Sequence, residues 1–136
     1  MVIYVATPYG RRNGNSVEKC ERNVQAAAKV AAQLVRLGHT PFVPNLWHYV
    51  HLHAPEVGEA WWMELCLDML SRCDVLLRVA GYSRGADEET QQAKRLGIPW
   101  VSCGTDADSV TQAVELLVLA HTENMRREKV GKIRTG

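Results

Sequence analysis

One short segment holds the residue types from which a catalytic site is most often built. Ser83-Arg84-Gly85-Ala86-Asp87-Glu88-Glu89-Thr90-Gln91-Gln92-Ala93 places a hydroxyl, a glycine and a carboxylate within seven residues. Ala86, Ala93 and Leu96 lie seven and three residues apart in turn, which predicts a helix with these positions on its inward stripe. Glu89 lies on that stripe, three residues after Ala86 and four before Ala93, where small neighbours leave room around its carboxylate. Free N–H groups and the helix dipole in the first turns favour an ionised carboxylate there. A recessed charged carboxylate suits a nucleophile of the kind that attacks an anomeric carbon. The competing reading is a first-turn acid that only stabilises its helix. Ser83, with the backbone N–H groups of Gly85 and Ala86, would make an anion site at the same helix N-terminus.

Two further segments carry polar and aromatic groups. Asn45–Gly58 includes Trp47, His48, Tyr49, His51 and His53 and has no clean period, so it is expected to be a long functional loop with at most one helical turn. Trp47 and Tyr49 are candidates to stack on a planar ligand, with lid packing as the alternative. The three histidines lack a cysteine or carboxylate spaced to complete a metal set, and no metal is expected. The segment Thr7-Pro8-Tyr9-Gly10 follows a short apolar run and precedes Arg11 and Arg12. Those two cations read as solvated, with phosphate contact as the alternative.

Apolar runs at Val2–Ala6, Thr40–Pro44, Asp74–Val79 and Pro99–Cys103 alternate with helical patterns ending near Leu37, Cys73, Leu96 and Met125. Alternation of this kind predicts an α/β domain of flavodoxin-like or Rossmann-like type, with a parallel sheet of four or five strands in an order near 2-1-3-4 and helices on both faces. Ligands of open parallel sheets bind beyond the carboxyl ends of the strands. That rule selects Thr7–Asn15, Asn45–Gly58 and Gly81–Ala86, and with them Gly81 as a further candidate contact.

The 136 residues fit one domain over 1–125, with 126–136 as a basic tail. The tail holds five basic residues and one acid and so carries +4, leaving −3 on the rest of a chain whose formal charge is +1. A basic end on a mildly acidic body is not the footprint of a nucleic-acid-binding domain. No apolar run reaches 18 residues, the first residues do not form a signal peptide, and the four cysteines have no C-x-x-C spacing, so a cytoplasmic protein with reduced thiols and no membrane contact is expected. The helix bearing Trp61, Trp62, Met63, Leu65, Cys66, Leu67, Met69 and Leu70 is apolar on more than one face, which predicts a symmetric homo-oligomer, most simply a dimer.

The string Ser83-x-Gly85-Ala86-x-x-Glu89-x-x-x-Ala93, between a strand opening with Asp74 and the entry Gly97-Ile98-Pro99, resembles the signature of the nucleoside 2-deoxyribosyltransferase superfamily. Tyr4-Val5-Ala6-Thr7-Pro8-Tyr9 is similar to that family's opening Tyr-x-x-Gly-Pro-Tyr/Phe, with Thr7 in place of the glycine. The resemblance spans residues 2 to about 103. It implies a small-molecule nucleoside or nucleotide substrate, no cofactor, Glu89 as nucleophile, Tyr4 beside it, and Ser83 with Gly85 holding a 5′-phosphate. It implies N-glycosidic hydrolysis, with sugar transfer between bases or non-catalytic nucleotide binding as alternatives. Cys66 stands close to where the family has an acidic residue. Asp68 is the nearest carboxylate and the candidate acid, although it shares a polar stripe with Glu64 and Arg72 that also reads as solvated.

Overall fold

The computed structural model describes residues 1–10 and 14–135; Arg11 and Arg12, considered above as phosphate contacts, lie outside the described residues. Strand β1 (Val2–Ala6) leads through the first loop to helix α1 (Val17–Arg36). Ser16 caps α1, its hydroxyl accepting from the Lys19 N–H at 3.2 Å, and Gly38 beyond its end takes φ +85°. Strand β2 (Thr40–Phe42) is shorter than the apolar run because Pro44, which has no N–H for a ladder, starts a 3-10 turn over Pro44–Trp47. Helix α2 (His48–His53) continues it, so the segment expected as a loop is two short helical pieces. Helix α3 (Glu59–Leu70), strand β3 (Val75–Val79), helix α4 (Arg84–Leu96), strand β4 (Trp100–Cys103) and helix α5 (Ala107–Thr135) complete the order.

The four strands pair in parallel in the order β2-β1-β3-β4, the expected arrangement, and no fifth strand occurs among the described residues. Alternate residues of each strand face opposite layers. Ile3, Val5, Val75, Leu77 and Val79 pack against Ala27, Val30 and Leu34 of α1 and Val110, Ala113, Val114 and Leu117 of α5. Tyr4, Ala6 and Leu76 face Cys66, Leu67 and Leu70 of α3 and Ala86 and Ala93 of α4. Within α4 the inward stripe is Ala86, Glu89, Thr90 and Ala93; Leu96, expected inward, is exposed at the helix end, where Gly97 turns the chain at φ +70°. Helix α5 runs ten residues past Met125, where the sequence suggested it would stop, so 126–135 continue the helix. No described helix is long and apolar enough to cross a membrane.

Order 2-1-3-4 makes the connections leave β1 and β3 in opposite directions, so a crevice opens between their carboxyl ends. Its base is set by a close approach: Gly81, after β3, has φ +129°, and a β-carbon there would lie 2.6 Å from Cγ of Pro8. The proline ring cannot swing away. Gly81→Ala is therefore expected to lower stability by about 1–3 kcal/mol, from backbone strain together with overpacking. Urea unfolding measures it, and a variant as stable as the native chain would contradict this account of the turn.

Candidate active site

The crevice between β1 and β3 is lined from four directions. The loop after β1 contributes Thr7, Tyr9 and Gly10; the 3-10 turn and α2 contribute Asn45, Trp47, His48 and His51. Helix α3 adds Glu59, Trp62, Met63 and Cys66, and Ser83 to Ala86 with Glu89 close the side formed by α4.

Glu89 is only 7% exposed and sits where the inward stripe of α4 meets Tyr4 of β1. Burial raises its carboxyl from an ordinary 4.5 to about 8. Tyr4 and the Arg78 cation favour the charged form and Glu88 opposes it, but desolvation outweighs the cation and the helix dipole that favoured an ionised group. In the protein alone Glu89 is thus largely protonated at neutral pH, contrary to the expectation of a permanently charged carboxylate. Arg78 is the lone cation of an otherwise apolar strand. It donates to the carbonyls of Val79 and Gly81, the latter at 2.9 Å, and pairs with Asp87 at 3.1 Å, tying the β3–α4 turn to the sheet.

Tyr4 is fully buried, and its hydroxyl has no hydrogen-bond partner, although Glu89 and Cys66 lie close enough to push its ionisation well above the usual range after burial has done most of it. The Thr7 hydroxyl and the Trp62 indole N–H, both on the crevice wall, are likewise buried and unpartnered. Buried polar groups are normally satisfied, and each orphan costs about 1–3 kcal/mol. Thr7 and Trp62, two such groups on one crevice wall, mark a place where a ligand could supply the missing partners. The Cys66 thiol beside them is pushed up to about 11, first by burial and then by the Glu89 charge, so it stays neutral.

Ser83 caps α4, its Oγ accepting from the Ala86 N–H at 3.1 Å. That bond occupies a lone pair and leaves the hydroxyl proton to donate into the crevice, next to the free N–H groups of the first turn. Gly85 could carry a β-carbon with only ordinary contacts to Met63 and Ser83. Its value at this site is an open approach to backbone, not an unusual conformation.

On the opposite wall Trp47 and Trp62 lie 5.8 Å apart between ring centroids, and His51 stacks on Trp62 at 4.1 Å. His48 is buried, with Nδ1 2.7 Å from the Tyr9 hydroxyl and Nε2 3.0 Å from the Glu21 carboxylate. Asn45 donates to the Pro8 carbonyl and Asn23 to that of Tyr9, each at 2.9 Å, so two helical segments clamp the first loop.

The structure thus brings Thr7, Tyr9, Trp47, His48, Ser83, Gly85, Ala86 and Glu89 around one crevice, with Tyr4 buried behind Glu89. Pro8 and Gly81 lie beneath it, packed on each other. Asp68 is not there: it projects to solvent from α3, its side chain 60% exposed and paired with Arg72 at 3.2 Å. Tyr49 points away as well, donating to Glu21 at 3.0 Å. Among the described residues no three His, Cys, Asp or Glu side chains converge as a metal site. Sequence reasoning missed Asn45, Glu59, Met63 and Arg84, and gave Trp62 only a packing role. The remote spacing of the elements carrying them holds no signal for this convergence; the lone arginine of β3 was the one visible sign of Arg78.

Residues 1–104 match the family described as a domain of unknown function, DUF1937. No curated protein matches the sequence. Two solved structures are similar in fold. One is a 2-deoxyribosyltransferase of the psychrotolerant bacterium Bacillus psychrosaccharolyticus, 21% identical, with TM-score 0.54 over 76% of this chain and 72% of the other. The second is a 2-deoxyribosyltransferase of Leishmania mexicana, 20% identical, with TM-score 0.51 over 77% of this chain and 65% of the other, just under two thirds of its length. The fold is thus shared with these two 2-deoxyribosyltransferases, in keeping with the α/β arrangement the sequence implied.

Raised from 4.5 to about 8, Glu89 stabilises the fold only while protonated. That contribution is complete below about pH 4.5 and is lost as pH rises through about 8. Glu89→Gln removes the titration. It should equal the native protein in stability near pH 4 and exceed it by a few kcal/mol above pH 8, since each tenfold change in proton affinity is worth about 1.4 kcal/mol. Urea unfolding at pH 5 and pH 8.5 reads the difference; an offset that does not change with pH would contradict a buried, destabilised carboxyl.

Proposed function

We propose, from the premise that this chain belongs to the DUF1937 family of domains of unknown function, that it cleaves the N-glycosidic bond of a nucleoside 5′-monophosphate or nucleoside, most simply of the 2′-deoxy series. The observation that carries the proposal is Glu89, a carboxylate buried on the crevice wall among small residues, with Tyr4 behind it and the unpartnered Thr7 and Trp62 groups on the same crevice. Ionised, it attacks the anomeric carbon through an oxocarbenium-like transition state, and water then resolves the glycosyl ester with net retention. Tyr4 is placed to hold the carboxylate or the sugar. Ser83, the first-turn N–H groups and Arg84 offer a phosphate cradle at the α4 N-terminus. Trp47 and Trp62 form an aromatic wall for the base.

Sugar transfer to a second base is the other reading, favoured by the two similar structures, both 2-deoxyribosyltransferases. Adding a different free base to the reaction separates the two: a new nucleoside means transfer, a free sugar means hydrolysis. A symmetric dimer remains part of the proposal, supported by Trp61 at 53% exposure on α3; four free cysteines fit a cytoplasmic setting.

Three outcomes are expected. Glu89→Gln should lose at least about 1000-fold in base release, as for removal of a covalent nucleophile; near-native release, followed by chromatography, ends the nucleophile assignment. In the native protein kcat/KM should rise with pH to a midpoint near 8, because the unliganded enzyme must ionise Glu89 before it attacks. Ser83→Ala should weaken monophosphates relative to nucleosides by about 1–3 kcal/mol; equal losses on both would remove Ser83 from phosphate binding.

A further inference from the structure

If Glu89 is the nucleophile, the departing base still needs a proton, and the residue expected to give it, Asp68, is turned to solvent. The Cys66 thiol, close to where the resemblance places an acid, is pushed up to about 11 by burial and by Glu89 and, among the described residues, has no imidazole behind it to resupply a proton. A different constellation reaches the crevice from the opposite wall. We infer that Tyr9, His48 and Glu21 form a proton relay in which Tyr9 protonates the leaving base and later accepts the proton of the attacking water.

Three elements converge to build it. Tyr9 comes from the loop after β1 and lines the crevice, His48 opens α2, and Glu21 lies on α1. The chain Tyr9 Oη, His48 Nδ1, His48 Nε2, Glu21 carboxylate has links of 2.7 and 3.0 Å on either side of the imidazole. His48 is 3% exposed, so it exchanges protons through these partners and not with bulk water. Each member is held from behind. Asn23 donates to the Tyr9 carbonyl at 2.9 Å, and Gln25 and Tyr49 donate to the Glu21 carboxylate at 3.1 and 3.0 Å. Those bonds, with His48 behind them, keep Glu21 ionised below the usual carboxylate range. The groups that face the ring are thus Tyr9, Glu21 and neighbouring Tyr49, with His51 across the Tyr9 ring at 5.8 Å.

The relay balances over a full turnover. With His48 doubly protonated, Nε2–H is donated to Glu21 and Nδ1–H to the Tyr9 oxygen, and the phenolic proton is the one passed to substrate. As a Glu89 oxygen bonds to the anomeric carbon, the C–N bond breaks and its electron pair goes to the base. Tyr9 passes its proton to that nitrogen and takes the Nδ1 proton, leaving His48 neutral. Water then attacks the glycosyl ester, releasing Glu89, and its proton returns through Tyr9 to His48. A carboxylate behind an imidazole fixes its tautomer and stabilises its cation, the role such a partner plays in other catalytic triads.

The test compares two leaving groups in native protein, Tyr9→Phe, Glu21→Gln and Glu59→Gln. The four common 2′-deoxynucleoside 5′-monophosphates need a protonated base; a p-nitrophenyl 2-deoxyriboside 5-phosphate departs without one. Tyr9→Phe is expected to lose about 100-fold or more in kcat/KM on the nucleotides, the size of a lost general acid, and at least tenfold less than that on the nitrophenyl substrate. Glu21→Gln, half-exposed and conservative, should show the same selectivity between the two leaving groups more weakly. Equal losses on both substrates, or a larger selective loss in Glu59→Gln, overturn the relay. Nitrophenolate release with no base released also overturns it and leaves Glu89 standing. No release of either product removes the Glu89 reading and the relay with it.

Discussion

The site depends on one buried carboxylate. Glu89 occupies a position on α4 that in a purely structural helix would hold another alanine or leucine, and it faces a tyrosine hydroxyl from the central strand. Seating it there sets the surroundings. Ala86 and Ala93 must be small on either side, α4 must start immediately beyond β3, and the turn between them must be fixed, which Arg78 does through two carbonyls and Asp87. The burial is costly, and its cost appears as the rise of the carboxyl to about 8.

The two faces of the sheet divide the labour that this cost creates. On the α1–α5 side the core is mainly aliphatic, from Ile3 and Val5 to Leu117 with Cys103, and supplies apolar burial. On the α3–α4 side the same strands present Tyr4, and the layer above it contains Cys66, Glu89 and Thr90. A sheet sealed on one face can tolerate orphaned polar atoms on the other, since stability need not come from both. The crevice opens where order 2-1-3-4 parts the connections, so its position follows from topology and its chemistry from the less well satisfied face.

How much was legible follows from the range of each signal. The alternation of strands and helices and the inward position of Glu89 rest on periodicity within single elements, the strand order follows from the fold class that this alternation implies, and all three are present. The tertiary arrangement of the crevice is non-local. Tyr9 and His48 are 39 residues apart, and only folding shows them bonded. Asp68 was the nearest carboxylate in sequence to the family's acid, but two residues along a helix is a turn of about 200°, which carries it to the solvent side. The irregular pattern of Asn45–Gly58 concealed α2 because its histidines and aromatics face the crevice on one side and Glu21 of α1 on the other, so no single apolar stripe survives. The protonation of Glu89 was misjudged because a helix dipole is visible in sequence and depth of burial is not.

That raised pKa also bears on how such a carboxylate could accelerate the reaction proposed for it. A substrate phosphate near the α4 N-terminus adds negative charge and gives Glu89 no counterion in the ground state. The oxocarbenium-like transition state supplies one, a positive charge on the sugar ring at the carbon the carboxylate attacks. A group that desolvation has left short of positive partners gains most when that charge develops, and the gain is greater in a dry crevice than in water. Had Arg78 paired with Glu89 directly and not with Asp87 and the turn carbonyls, the carboxylate would be satisfied before substrate arrived, and the same contact would bind ground and transition states nearly alike. On the proposed mechanism, the desolvation that raises Glu89 is thus offset where positive charge develops on the sugar.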